Sequence, residues 1–346
     1  MADLASIVAT SLRTYVPGMT DEIFDAHPGL WWLRDQGRVK SYNGGRGITE
    51  DVVIGKNSTV ATRDPKAKIP ITEQDPIRQV LWHDISITGA LPIFWADERA
   101  NANRLEDFAQ TLLENLRDTV SDTLGAQFYE DGIDDAGEAC LQGLESIVGF
   151  DNTYGTMILD ERVASPYVPL TRVAATNPYP WWMPANGAGT DDYSIEANRF
   201  ETAEEFALNG GTDGGLQNLY DRCKRGKTQE EPDLILMGIP LFHKFKALIL
   251  PSLRYRDEKT INAGFPQNLL FDNAVVIMDA DCLTAAVYCL NTKHIKLRPD
   301  APCAKKVLIE ERAPTSDQFV KTFLAIWKGQ MTCNEPRLQG KMTNKT

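Results

Sequence analysis

The spacing of apolar residues changes period along the chain, and each change predicts an element. From Leu105 onward apolar side chains recur at Leu105, Phe108, Ala109, Leu112, Leu113, Leu116, Val120 and Leu124, the i, i+3, i+4, i+7 rule of an amphipathic helix. Asn101 or Asn103 can cap its start, and Gly132 marks its latest stop. About 25 residues at a rise of ~1.5 Å make a rod approaching about 40 Å, a length suited to a supporting spine. Upstream, between Arg38 and Trp95, the period is two. In LWHDISITGALPI the apolar Leu81, Ile85, Ile87, Leu91 and Ile93 alternate with Asp84, Ser86 and Thr88, as expected of one half-buried strand. GITEDVVI offers a partner strand, and the polar GKNSTVATRDPKAKIP between them, with Pro65 and Pro70, predicts a long tip. Such an extended hairpin has few residues to build its own core, and an isolated ribbon is marginal in water. The sequence therefore predicts that something else covers it.

The remaining text is mixed. HPGLWWLRDQG, near the start, carries Trp31 and Trp32 in a weakly patterned segment and reads as an arm in need of a surface. After the spine, LQGLESIVG leads into a Pro, Gly and Asn-rich stretch containing NPYPWWMPANGAG. Its prolines fix φ and remove backbone donors, so this run is an ordered loop. Trp181 and Trp182 there are either a stacking platform for a sugar or a greasy surface for a core or a neighbouring subunit. A short helix in GLQNLYDRCKRG, a buried strand in DLILMG, a helix opened by Pro240 in PLFHKFKALIL and a hairpin in AVVIMDADCLTAAVYCLNTKHIKLR follow. The order predicts an α+β chain with one discontinuous domain.

Composition narrows the class. The 346 residues are 42% hydrophobic and 24% charged, ordinary for a globular chain. The longest apolar runs, at Leu234–Met237 and Ala274–Met278, are far below the roughly 18 residues of a membrane span. The N-terminus lacks a basic leader and does not read as a signal peptide, so a protein of the cytosol is expected. Six cysteines without a CxxC pair read as reduced thiols filling the core. A formal net charge of −12 disfavours tight binding to phosphate backbones, although Lys321, Lys328, Arg337, Lys341 and Lys345 make the C-terminal stretch basic against the single Glu335.

Catalytic motifs fail one at a time. Gly226, Lys227 and Thr228 imitate the end of a phosphate loop, but Asp221 stands where its first glycine belongs. Asp279 and Asp281 begin like a calcium loop, yet Thr284 and Leu290 replace its glycine and bidentate acid, and a hairpin turn is the better reading. His27, His83, His243 and His294 are isolated from any HExxH or GxSxG context. What remains is an aromatic arm, an uncovered hairpin and a Trp loop, all of which call for a partner. The competing reading is a carbohydrate-binding module or glycoside-active enzyme built on Trp181 and Trp182.

The order and wording of these elements resemble the major capsid proteins of tailed bacteriophages, with the Hong Kong 97-type shell fold. VKSYNGGRGITEDVVIGKN and the I-x-I-x-G of Ile85 to Gly89 resemble that family's extended loop. ANANRLEDFAQTLLENL through AQFYEDG, then GLESIVG, are similar to its spine helix and the entry to its axial domain. EEPDLILMGIPLFHKF and FDNAVVIMDADCLTAAVYCLNTKHIKLR resemble the later axial segments, and KTFLAIWKGQMTCNEPRLQGKM the last peripheral strands. The resemblance implies an N-terminal arm at 1–36, an extended β-hairpin loop at 37–97, a peripheral domain with the spine helix at 98–145, an axial domain at 146–284 and a return to the peripheral domain at 285–346. It further implies a non-enzymatic shell protein that binds itself in hexamers and pentamers. Its expected partners are a separate scaffolding protein, a portal, a decoration protein and non-specifically packaged DNA, with no membrane, metal or cofactor. Trp31, Trp32, Lys56, Asn57, Arg63, Trp181 and Trp182 are its expected subunit-interface residues. Some relatives join subunits by a Lys to Asn isopeptide bond; Lys56 and Asn334 are the candidates here, and neither matches residue by residue.

Overall fold

The computed structural model describes residues 27–45, 47–53, 59–64, 66, 68, 71, 77–95, 99, 105–133, 139–149, 153–158, 167–171, 216–224, 230–249, 269–284, 286–304, 307–312 and 320–343. Its elements in chain order are α1 (Pro28–Asp35), β1 (Ile48–Val53), β2 (Ile77–Trp82), β3 (Ile85–Phe94) and the long α2 (Leu105–Gln127). Then come β4 (Asp131–Ile133), β5 (Ala139–Gln142), α3 (Leu144–Val148), β6 (Thr153–Ile158), β7 (Tyr167–Thr171) and α4 (Leu216–Cys223). β8 (Leu234–Met237), α5 (Ile239–Ile249), β9 (Leu269–Phe271), β10 (Ala274–Met278) and β11 (Ala286–Leu290) lead to β12 (Ile295–Pro299), β13 (Leu308–Arg312), β14 (Val320–Cys333) and β15 (Gly340–Thr343).

The helix expected from the 3.6-residue period is α2, 23 residues long. Leu113, Val120 and Leu124 on its predicted apolar face are buried, and it lies against β3. The contact is close: a Cβ on Gly89 of β3 would stand 2.7 Å from Leu116 Cδ1.

Among the described residues, β14 organises one sheet. β3 pairs with it antiparallel from Val320↔Phe94 to Gly329↔Ile85; β13 pairs with Thr322 to Ile326 and β12 with Gly329 to Cys333, so these two lie end to end along its other edge, sharing Gly329 and the Thr322–Ile326 run with β3. A second sheet has the order β15-β11-β8-β10-β9. β8 is buried throughout because both faces are covered. Leu234 and Leu236 join the main core with α2, whereas Ile235 and Met237 face a second core closed by Leu219, Tyr220, Phe242 and Phe245 of α4 and α5. A continuous apolar run is what such double burial requires.

Two expectations need correction. The hairpin expected between Ala274 and Leu290 is not one: β10 pairs parallel with β8, and β11 pairs antiparallel with β8 from the other side. The twice-buried LILM strand takes the centre, and the MDADC turn crosses its end. LWHDISITGALPI is likewise two strands. β2 ends at Trp82 with Val80 and Trp82 as its buried residues, and β3 restarts at Ile85 with Ile87 and Ile93 buried. The inward face thus shifts from even to odd positions across His83 and Asp84, which a single alternating strand cannot do. All six cysteines are free and buried.

Candidate assembly interface

The extended hairpin is present. β1 and β2 pair antiparallel from Ile48↔Trp82 to Val53↔Ile77. Its base is covered by the chain itself, contrary to the bare ribbon expected: β6 pairs with the free edge of β2, and Tyr154 packs edge-on against Trp82 at 5.9 Å. Beyond the base, the described tip residues Val60 to Asp64, Lys66, Lys68 and Ile71 are exposed. Arg63 donates to the carbonyls of Thr59 (3.1 Å) and Lys68 (3.2 Å), and the Lys66 amide donates to Asp64 Oδ1 at 2.9 Å. These bonds shape the tip from within.

Two charged clusters fix the base to the β14 sheet. Glu50 shares a face of β1 with buried Ile48 and Val52, which puts its carboxylate inside. There it accepts from Arg298 (Nη2, 2.5 Å) and Lys296 (3.1 Å) of β12 and from the Thr332 hydroxyl (3.1 Å) of β14. Burial alone would raise the Glu50 carboxyl, but the Arg298 and Lys296 hydrogen bonds and charges outweigh it and hold the group below the ordinary carboxylate range. At the break between β2 and β3, Asp84 pairs with Lys328 of β14 at 2.5 Å and accepts from the Tyr42 hydroxyl at 3.0 Å. Burial again opposes ionisation of Asp84, and the bonds from Lys328 and Tyr42 reverse it. Lys328 is correspondingly raised, chiefly by its bond to Asp84.

A third cluster docks the arm. His27, immediately before α1, is buried; its Nδ1 lies 2.6 Å from Asp281 Oδ2 and its Nε2 3.5 Å from Ser121 Oγ of α2. The imidazole occupies the space left by Gly125, where a Cβ would collide with the ring. The Gly29 amide and the Tyr129 hydroxyl donate to Asp279 at 3.2 and 2.7 Å. The MDADC turn, first weighed as a failed calcium loop, is thus the anchor of α1. Beside it opens a cavity of about 560 Å³ lined by Ala126, Tyr129, Glu130, Asp131, Ile133, Glu145, Asp281 and Leu283.

Of the expected interface residues, Arg63 stands at the exposed tip. Trp31 and Trp32 are half-buried on α1, whose Leu30 and Leu33 are buried in the chain's own core, so the arm's helix finds its surface at home. Lys56, Asn57, Trp181 and Trp182 lie outside the described residues. Asn334, half-buried, is bonded to His294 Nδ1 at 3.0 Å. Sequence reasoning passed over Glu50, read Asp84 only as a polar position of a strand, and set His27 aside as isolated from any catalytic motif. Glu50 did leave a signal, since a carboxylate in phase with Ile48 and Val52 has to find cations inside.

No protein-family model and no curated protein matches the sequence. Solved structures do match, nearly end to end. The chain is 13% identical to a chain of the cyanophage A-1(L) capsid asymmetric unit, covering 89% of this chain and 90% of that one with a TM-score of 0.57. It is 11% identical to one from the capsid of a native GTA particle, with coverages of 91% and 90% and a TM-score of 0.53. For the capsid of the Myoviridae phage XM1 the values are 9%, 90%, 92% and 0.51. The chain therefore has the Hong Kong 97-like α+β fold of capsid subunits, with spine helix and extended hairpin as expected.

Proposed function

We propose that the chain is the major capsid protein of a tailed double-stranded DNA bacteriophage. In this reading it is a structural, non-catalytic subunit that assembles with copies of itself into the hexamers and pentamers of an icosahedral shell. The observation that carries the proposal is the fold likeness to three capsid chains over about nine-tenths of each. The exposed hairpin tip supports it, because a projection anchored at its base by Glu50 and Asp84 is built to meet something outside its own chain. In such a shell Arg63, with Lys56 and Asn57 near it in sequence, meets an adjacent subunit, and Trp181 and Trp182 pack within the axial domain or at a subunit boundary. Assembly takes place in the host bacterial cytoplasm with a separate scaffolding protein and a portal. A decoration protein joins the finished virion capsid. The acidic net charge of −12 fits a container for DNA that must enter and leave. The alternative sugar platform gains no support from any observation here.

The test is size. Sedimentation velocity and negative-stain microscopy of the protein, expressed alone and with a scaffolding protein, should give capsomers, shells or curved sheets. A strictly monomeric particle under every condition overturns the proposal.

A further inference from the structure

Two of the six cysteines meet. Cys140, Cys282 and Cys303 donate their thiols to main-chain carbonyls, at 3.7 to 3.8 Å. Cys289 of β11 is bonded instead to the thiol of Cys223, the last residue of α4. The backbone explains how they come together. Cys289 and Gly340 are direct partners across the antiparallel pair of β11 and β15, and opposed side chains there share a face with Cβ atoms about 4.5–5.5 Å apart. Gly340 has no side chain, and a Cβ at that position would stand 2.8 Å from Cys223 Sγ and 2.6 Å from Leu219 Cδ1. The missing Cβ is the room that the sulfur of Cys223 takes. Both cysteines are fully buried in the second core, with Leu219, Tyr220, Ile235 and Met342. Burial, then the bond and charge of Cys223, hold the Cys289 thiol well above its ordinary range, so it is inert toward bulky thiol reagents while the chain stays folded.

We propose that Cys223 and Cys289 form a latent disulfide, open while the chain folds and closed afterwards by a peroxide, which staples α4 to β11. The chemistry balances within the pair. The thiolate sulfur of one cysteine attacks a peroxide oxygen and breaks the O–O bond, leaving a sulfenic acid and, with its own proton, one water. The second sulfur displaces the hydroxyl from the sulfenic sulfur as the S–S bond forms, and that hydroxyl leaves with the second thiol proton as water. Two thiols thus lose two electrons and two protons, and hydrogen peroxide becomes two waters. Sulfurs already bonded thiol to thiol need only close to about 2.05 Å. Their full burial excludes a bond to a second copy and calls for a small oxidant. The loop so closed spans about 65 residues, a length at which a cross-link removes much entropy from the unfolded chain. The timing rests on the function proposed above: a reducing cytoplasm keeps such thiols open, and a particle released from the cell meets an oxidising medium.

The experiment uses the full chain, purified under reductant, freed of it, and treated with hydrogen peroxide a few degrees below its melting temperature, where local opening admits the oxidant. Remaining thiols are alkylated in denaturant, and the peptides are read by mass spectrometry without reduction. In the expected product the Cys223 and Cys289 peptides are joined with the loss of two hydrogens, while Cys140, Cys282, Cys303 and Cys333 are alkylated. Its melting temperature should rise by about 5–10 °C and fall back on treatment with dithiothreitol. Cys223→Ala and Cys289→Ala, each compared with its own untreated sample, should show neither the linked peptide nor the rise. That comparison removes any loss of stability caused by the substitution itself. A treated wild-type chain with all six thiols alkylated, with a bond between other cysteines, with either sulfur taken only to a sulfinic acid, or bonded but no more stable, overturns the inference. A bond already present in chain alkylated at cell lysis overturns its latency. None of these readings depends on assembly, so sedimentation of the same samples tests the capsid reading separately.

Discussion

At Gly125 the spine helix carries no side chain, and the imidazole of His27 fills the space. In an ordinary helix interior Gly→Ala stabilises by about 1 kcal/mol. Here the added methyl meets the ring, and overpacking of this kind costs about 1–3 kcal/mol. Gly125→Ala should therefore lower the melting temperature, and in a His27→Ala background the same change should be neutral or stabilising; a double-mutant thermal melt checks the reversal. Glu50 makes a second residue-scale prediction. Glu50→Gln leaves Lys296 and Arg298 without their charge partner and should cost about 2–4 kcal/mol in denaturant titration at neutral pH. The pH dependence follows from the direction of its shift. A carboxyl held low in the folded state contributes fully above its unfolded value of about 4.3, and the contribution is lost as pH falls below that through the depressed folded value. Asp84 acts in the same sense, while the raised Lys328 contributes below about 10.4 and loses that contribution as pH rises through its folded value. The Glu50→Gln chain should show a flatter acid limb than the wild type.

Among the elements, the spine was legible because its apolar period persists over six turns and nothing else competes with it. The hairpin was legible as two alternating runs around a polar tip, but its cover was not. β6 and β7 fall in the Pro and Gly-rich text after the spine, where Pro169 argues against a strand until β7 is seen to be the edge of its sheet. The placing of β8 between β10 and β11 is a long-range choice that no local pattern announces; only the all-apolar LILM hinted at burial on two faces. The break at Asp84 was hidden because the apolar alternation runs across it almost unbroken. At this scale the tight meeting of β3 and α2 is testable. Gly89→Val should push Leu116 away and cost about 1–3 kcal/mol, and Leu116→Ala should recover part of that loss in the double variant, measured by chemical denaturation.

For the whole molecule, the three clusters divide the labour. The cluster around His27, Asp279 and Asp281 closes the arm onto the body, whereas Glu50 and Asp84 tie the hairpin to β12 and β14. Each tie spans segments distant in sequence, which is why sequence reading found the parts and missed the fastenings. The hairpin's base also has a mechanical side. A tug on the tip passes down β2 and reaches β3 through only His83 and Asp84. β3 then lies lengthwise along β14 over ten paired positions, from Gly329↔Ile85 to Val320↔Phe94. Loaded along its axis, that seam must slide as a unit and cannot peel one rung at a time. A pull directed along β3 is therefore carried by all ten paired positions together.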